Sequence, residues 1–245
     1  MSDSIFECDE VGFLTFMTQP NFHYTSDFSA GYLNTEEREF LNEVAIEKSF
    51  RKDSEIFLEG AYPTGVYILK QGKVKLYHMT SGGSEQILDI HTVGEIFGYR
   101  PVLCNESYPV SAKTIEDSQT IFIPRQDFLT LLSRSTNLAN SLLRLLSHEF
   151  TVWANTISNL AHRTVRDRLL INLLVLTEKY RVKDAWPVEI TLSRRDLAAL
   201  IGTSIETLAR TLSKLKKEKL IAVQGRTIVI TANRWDRIFK SIPPR

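Results

Sequence analysis

Cysteine is almost missing from this chain: there are two in 245 residues, Cys8 and Cys104. Two thiols cannot build a disulfide framework, and they fall short of a protein-only four-cysteine iron–sulfur site. A reducing, cytoplasmic setting is the simpler expectation. No run of about 18 apolar residues occurs, so no membrane-spanning helix is expected. The first ten residues, "MSDSIFECDE", are acidic and lack a basic segment followed by an apolar one, so no secretory signal is expected. Enzyme signatures are missing too: there is no HExxH, GxSxG, Walker loop or CxxC. With no convergent nucleophile, base or metal set, the sequence predicts a protein that is not an enzyme.

What is present is a balanced composition, 43% hydrophobic and 24% charged, which suits a packed soluble core. The net charge of +1 hides an asymmetry. Residues 163–245 hold 18 Lys and Arg against 8 Asp and Glu, a net of +10, and residues 1–162 hold 12 against 21, a net of −9. A basic C-terminal third on an acidic body points to nucleic acid at that end.

Along the chain, residues 1–32 read as an irregular arm with many aromatics: Phe6, Phe13, Phe16, Phe22, Tyr24 and Phe28. "LNTEEREFLNEVAIEKSF" opens with Asn34 or Thr35 as a helix cap and acids in the first turn. From 50 to 123 the pattern becomes short alternating runs, "SEIFLEG", "GVYILKQG", "KVKLYHMT", "EQILDIHT" and "QTIFIP", punctuated by glycines. Such spacing predicts an antiparallel β-roll or barrel, and hence an α+β chain. "GYRPVLCNESYPVSA" (98–112) reads as a turn, a small loop and a return strand. At about 137–161, Leu138, Leu142, Leu146, Phe150, Trp153, Ile157 and Leu160 recur at helical spacing in one long stripe. That stripe can pack on its own barrel or pair with a second copy in a coiled coil. "TVRDRLLINLLVLTEKY" predicts a further helix and "VKDAWPVE" a loop.

The densest chemistry lies in "LSRRDLAALIGTSIETLARTLSKLKKEKL". Ser193 caps a first helix over 194–200, Gly202 makes the turn, and Thr203 or Ser204 caps a second helix from Ile205 to about Lys217. A Gly-containing turn of three to four residues between two helices is what a helix-turn-helix requires. Leu197, Ala198, Ile201, Leu208, Leu212 and Leu215 supply the packing faces. Near the start of the second helix, Glu206 can accept from cytosine N4 and Arg210 can present a fork to guanine. Ser193, Thr203 and Thr207 suit phosphates, with Arg194 and Ser204 at the same edge. Lys214, Lys216, Lys217 and Lys219 add salt-dependent attraction. "VQGRT" makes a wing whose Arg226 reaches a phosphate. The plainer reading of this stretch is a two-helix hairpin with a solvated lysine face.

Together with "GVYILKQGKVKLY", "GEIFG" and "TVRDRLL", this stretch resembles the cyclic-AMP receptor protein/FNR (CRP/FNR) family of bacterial transcription regulators, over roughly residues 33–238. The resemblance implies a cyclic-nucleotide-binding-type β-roll over 33–136, a dimerisation helix over 137–162 and a winged helix-turn-helix over 163–245. It also implies homodimers on DNA half-sites one helical turn apart, roughly 34 Å, and RNA polymerase as a partner. In the recognition helix the family often has Ser-Arg-Glu-Thr and then an Arg. Here Ile205 replaces the first arginine, and an apolar side chain there meets a thymine methyl instead of guanine.

In nucleotide-binding members a Gly-Glu pair holds the ribose and an Arg-Ser or Arg-Thr pair holds the phosphate. The corresponding effector-pocket positions are Gly94, Glu95, Gly98, Tyr99, Tyr108 and Pro109. Tyr99 stands in place of the ribose-holding glutamate. Tyr108-Pro109 stands at about the phosphate position, where neither residue pairs with charge. Cyclic AMP bound in the usual way is therefore not expected, and no cofactor is assigned. The pocket could take another small molecule, stand empty, or hold haem as in some relatives, with His23, His78, His91, His148 and His162 as axial candidates. A sensor module that binds ligand or protein without a transcriptional role is the reading from another class.

Overall fold

A computed structural model of the chain describes residues 33–182 and 185–242, with the helical backbone alone over 152–162. The N-terminal arm, Cys8, His23 and the side chains of Trp153, Ile157, Leu160 and His162 lie outside the described residues. The described chain divides into two compact units, residues 33–153 and 154–242.

The first unit opens with α1 (Thr35–Val44). Asn34 and Glu37 cap each other, with each side chain accepting the other's backbone N–H at 2.8 Å. Eight strands follow: β1 (Ile46–Phe50), β2 (Glu55–Phe57), β3 (Gly65–Gln71), β4 (Val74–Met79), β5 (Glu85–His91), β6 (Ile96–Phe97), β7 (Ser111–Thr114) and β8 (Ser118–Pro124). They form two antiparallel sheets, β1-β8-β3-β6 and β2-β7-β4-β5. Side chains alternate across a strand, and β3 uses both of its faces. Val66 and Ile68 enter a core against the helices, with Ile96, Ile123 and Phe128, whereas Tyr67 and Leu69 enter the roll interior, with Phe97 and Phe122. Register supports the split: Tyr67 stands opposite Phe97 and Phe122, and Ile68 opposite Ile96 and Ile121.

Three helices complete this unit: α2 (Tyr99–Cys104), α3 (Arg125–Arg134) and, as far as Trp153, α4 (Thr136–His162). The segment expected as a small loop after Gly98 is the short helix α2. Its proline sits in the first turn, where a missing N–H costs nothing. Helix α3, not foreseen, buries Phe128 and Leu131. The stripe on α4 divides. Leu138 and Leu142 are buried in the chain's own core, 1% and 4% exposed, and Leu146 packs partly against it. Leu138 and Leu142 therefore serve the monomer's own core, which corrects their assignment to a dimer interface. Leu143 and Phe150, 62% and 75% exposed, carry the apolar surface.

The second unit holds α5 (Val165–Tyr180), β9 (Val188–Thr191), α6 (Arg194–Ile201), α7 (Ile205–Lys217), β10 (Ala222–Gln224), β11 (Thr227–Ile230) and α8 (Ala232–Ser241). Helix α5 starts at the cap Thr164 and buries Leu169, Leu170, Leu173, Leu174 and Leu176. Strand β9 begins inside the stretch expected as a loop and pairs with β11, Ile190 opposite Ile228, giving the three-stranded order β10-β11-β9. Helix α8, also not foreseen, is capped by Thr231 and stacks Trp235 on Phe239 at 5.6 Å. Among the described residues no helix is long and apolar enough to cross a membrane.

Candidate nucleic-acid interface and effector pocket

Helix α6 begins where the Ser193 hydroxyl accepts the Asp196 N–H at 2.9 Å, and it ends at Gly202, whose φ of +64° suits glycine. Ser204 caps α7 by accepting the Thr207 N–H at 3.2 Å. Leu208, Leu212 and Leu215 turn inward and pack with Leu197, Ala198 and Ile201 of α6. Helical spacing then leaves Glu206, Ala209, Arg210, Ser213, Lys214 and Lys217 outward on one stripe. Its C-terminal five line an open groove of about 400 Å³. Ala209 and Ser213 went unnoticed in the sequence because they are small and carry no charge. Their spacing of three and seven from Glu206 was the available signal.

The electrostatics suit base reading. Glu206 is held below the usual carboxylate range by its own backbone N–H at the helix start, then by the Ser204 hydroxyl, with Arg210 adding attraction. An ionised Glu206 is an acceptor only, which is the form cytosine N4 requires. Thr203 is half-buried at the turn, and Ile205 is 49% exposed beside Glu206.

Of the expected phosphate contacts Ser193 needs correction, and Ser204 and Arg194 at the same edge are likewise engaged within the chain. The Ser193 hydroxyl is engaged with Asp196 in both directions, and the Ser204 hydroxyl with Thr207, because helix starts need capping. Arg194 donates from Nη2 to the Gly225 carbonyl at 2.9 Å, at the wing turn. Burial pulls its pKa down, and its buried Nη1 has no partner. The wing is a hairpin with Gln224 opposite Thr227, so Gly225 and Arg226 form a two-residue loop. Gly225 takes φ +59° and Arg226 is exposed at the tip.

The expected effector residues fall on two sides of a sheet. Tyr108 lies in the roll interior, stacked on Phe57 at 3.8 Å with rings 7° from parallel. Its hydroxyl donates to the Gly65 carbonyl at 3.3 Å. Gly98 sits beside it: a Cβ there would approach Phe57 to 3.2 Å and the Tyr108 hydroxyl to 3.5 Å. Tyr99 is in the other core, against the helices. Its hydroxyl donates to Glu149 Oε2 on α4 at 2.9 Å, joined there by Arg100 Nε at 2.8 Å. Tyr99 and Tyr108 therefore do not share a pocket, which corrects that expectation. Glu95 is wholly buried and accepts the Thr92 N–H at 2.7 Å, Gly94 donates to the Leu69 carbonyl at 2.8 Å, and Pro109 is exposed.

Burial raises the Tyr99 and Tyr108 hydroxyls well above the ordinary tyrosine range, and Glu149 adds to the rise at Tyr99. Burial pulls Arg100 down, and the Glu149 carboxylate more than restores it. Lys113 pairs with Glu55 at 2.8 Å. A cyclic phosphate needs a guanidinium, a hydroxyl and N–H groups that converge. Here both nearby cations are turned to carboxylates, and an aromatic ring fills the place opposite Gly98. These residues do not fit a cyclic nucleotide held in the usual way.

Residues 47–135 match the cyclic nucleotide-binding domain family, and residues 167–234 match the Crp-like helix-turn-helix domain family. The fumarate and nitrate reduction regulatory protein of Escherichia coli (strain K12) is 28% identical over 204 residues, 82% of this chain and 81% of the relative. Its Vibrio cholerae namesake is 27% identical over 201 residues, 81% and 80% of the two chains. The structure of FixK2 from Bradyrhizobium japonicum superposes with a TM-score of 0.75 at 26% identity, covering 82% of this chain and 99% of that one.

This chain belongs to the CRP/FNR family of transcription regulators.

It follows that the β-roll is the sensing domain and the α6–α7 pair the DNA-binding element of a CRP/FNR regulator. Against that plan, the departures of this CRP/FNR member are local. Its roll interior is closed by aromatic rings, and its loop arginine is bound to the long helix α4. Of the described haem candidates, His78 pairs with Glu59 at 3.0 Å, His91 is buried against Phe97, and His148 is half-buried. Among the described residues no three metal-ligating side chains come together.

Proposed function

We propose that this CRP/FNR regulator works as a homodimer that reads a two-fold symmetric operator with the outer stripe of α7, and that its roll does not take cyclic AMP in the usual way. The observation that carries the DNA half is the exposed face of α7, where an ionised Glu206 stands one turn before Arg210. Lys214 and Lys217 extend that face toward the backbone, and Arg226 reaches a phosphate from the wing. A helix N-terminus entering the major groove presents these residues in that order. The dimer half rests on Leu143 and Phe150, seven residues apart on one exposed face of α4, with Trp153, Ile157 and Leu160 continuing the sequence pattern. Contact with RNA polymerase is carried over from the family, and a regulator of chromosomal operators works in the bacterial cytoplasm. No turnover is expected.

Fluorescence anisotropy on duplexes selected from a random pool tests the DNA half. Binding is expected to prefer a palindromic site and to weaken steeply with salt. Salt-independent binding would refute it. In sedimentation, Phe150→Glu is expected to shift the protein toward monomer and to lower operator affinity with it; an unchanged dimer would remove that face from the interface. For the sensing half, a ligand bound only to the native state raises the melting temperature. Cyclic AMP, cyclic GMP and haem are to be tested side by side, and no shift is expected with cyclic AMP. A clear shift would show that the roll holds phosphate by another route.

A further inference from the structure

Helix α5 carries two arginines, Arg166 and Arg168, that no DNA-reading role accounts for. Both reach the helix-turn-helix, and they reach opposite ends of α7. Arg168 donates from Nε to the Ile201 carbonyl at 2.9 Å and from Nη2 to the Gly202 carbonyl at 3.0 Å. These carbonyls close α6 and lead into the Ser204 cap. The last carbonyls of a helix lack intrahelical donors, so one guanidinium satisfies the turn itself. Its Nη1 donates to the Arg163 carbonyl at 3.1 Å, directly after α4. At the far end, Arg166 Nη2 donates to Glu218 Oε2 at 2.9 Å. Glu218 is the C-cap of α7, and its backbone carbonyl accepts from Arg237 of α8 at 3.1 Å.

A rod held at one end can pivot. A 13-residue helix is about 20 Å long, so a tilt of about 5° about one end moves the other by about 2 Å. Arg210 lies about 8 Å along α7 from the end that Arg168 holds, so the same tilt moves its backbone by less than about 1 Å and turns its side chain with it. Hydrogen bonds to base edges are sensitive to such a turn, because they weaken steeply off axis. Phosphate contacts through flexible lysines do survive it.

We propose that Arg166 and Arg168 are positioning residues for DNA reading: they fix the pitch of α7 from behind, and they govern discrimination between sequences without touching DNA. This rests on α7 being the recognition helix.

The test uses the full-length protein and two duplexes, the selected operator and a random sequence, with salt slopes for each. Arg166→Gln and Glu218→Gln change net charge in opposite directions. A purely electrostatic role requires them to act oppositely on affinity. The positioning role requires both to lower the operator-to-random ratio, by at least about fivefold, with random-sequence affinity and salt slope nearly unchanged. The charge-swapped double variant Arg166→Glu/Glu218→Arg is expected to recover most of the ratio. Arg168→Lys keeps the charge but not the three-carbonyl grip, and is expected to lower the ratio likewise. If Arg168→Lys fails to fold, the half-buried 166–218 pair still decides. A tighter Glu218→Gln complex with an unchanged ratio overturns the proposal. So does a fall of about one in the salt slope of Arg166→Gln, the mark of a lost phosphate contact. Arg210→Ala in the same assay separates the two readings. An unchanged ratio there overturns α7 as the reader. An impaired ratio there, with Arg166→Gln and Glu218→Gln normal, overturns the positioning role alone.

Discussion

Arg210→Ala weakens operator binding by about 1–3 kcal/mol, roughly 5- to 150-fold, and relaxes preference at one base pair of each half-site. The side chain is exposed on α7 one turn after Glu206, and the buried Leu208 and Leu212 lock the helix face that points it outward. A guanidinium there can hold guanine O6 and N7 together, and alanine leaves both unmatched. Binding to random DNA changes little, because the lysines on the same stripe supply the sequence-independent attraction. Anisotropy titrations on a panel of single-base operator variants read the result. Loss of base preference at a single position identifies the contacted base pair, and unchanged affinity for the original operator removes Arg210 from the interface. Ile205 offers the converse experiment on the same panel. Exposed and apolar, it favours a thymine methyl, and Ile205→Arg is expected to move preference toward guanine at that position.

Tyr108→Ala destabilises the first unit by about 3–5 kcal/mol. The ring is stacked on Phe57 in a cluster with Tyr67, Phe97 and Phe122, so its loss leaves a hole that the sheets cannot close. Tyr108→Phe costs about 1 kcal/mol or less, since only the long bond to the Gly65 carbonyl goes. Denaturant unfolding of the two variants separates packing from hydrogen bonding. The same proteins test the proposal that the roll does not take cyclic AMP in the usual way. Removing the ring restores space but brings no cation, because Arg100 remains with Glu149 and Lys113 with Glu55. Cyclic AMP is therefore expected to leave the Tyr108→Ala melting temperature unchanged. A rise would mean that the ring alone keeps the ligand out.

The helix-turn-helix was legible residue by residue, because its signals are local. Ser193, Gly202 and Ser204 mark helix ends by their own chemistry, and the helices begin at Arg194 and Ile205 as expected. The β-roll was legible as alternating runs. Its partition into two cores was not, since strand alternation shows that two faces exist and not what covers each. Leu138 and Leu142 belong to the same stripe as Phe150, and only the position of α4 against α3 and β3 separates buried from exposed. The destinations of Arg100, Arg166, Arg168 and Arg194 were equally out of reach. A long cationic side chain finds its partner tens of residues away, and spacing along the chain says nothing of it. Helix α2 reads as a loop in the sequence because Pro101 and Asn105, which is αL in the structure, resemble loop punctuation.

Strand β3 hands alternate residues to two chambers, Val66 and Ile68 to one, Tyr67 and Leu69 to the other. The two chambers are therefore one cooperative unit. Neither can come loose while the other stays packed, because the peptide bonds between these neighbours leave no slack. A mutation in the aromatic interior and one in the helical layer should cost stability in the same melting transition, and β3 amides should exchange their hydrogens only when the whole unit opens. A sensor built this way has no soft lobe beside a rigid one. Any signal it registers has to shift the sheet as a whole.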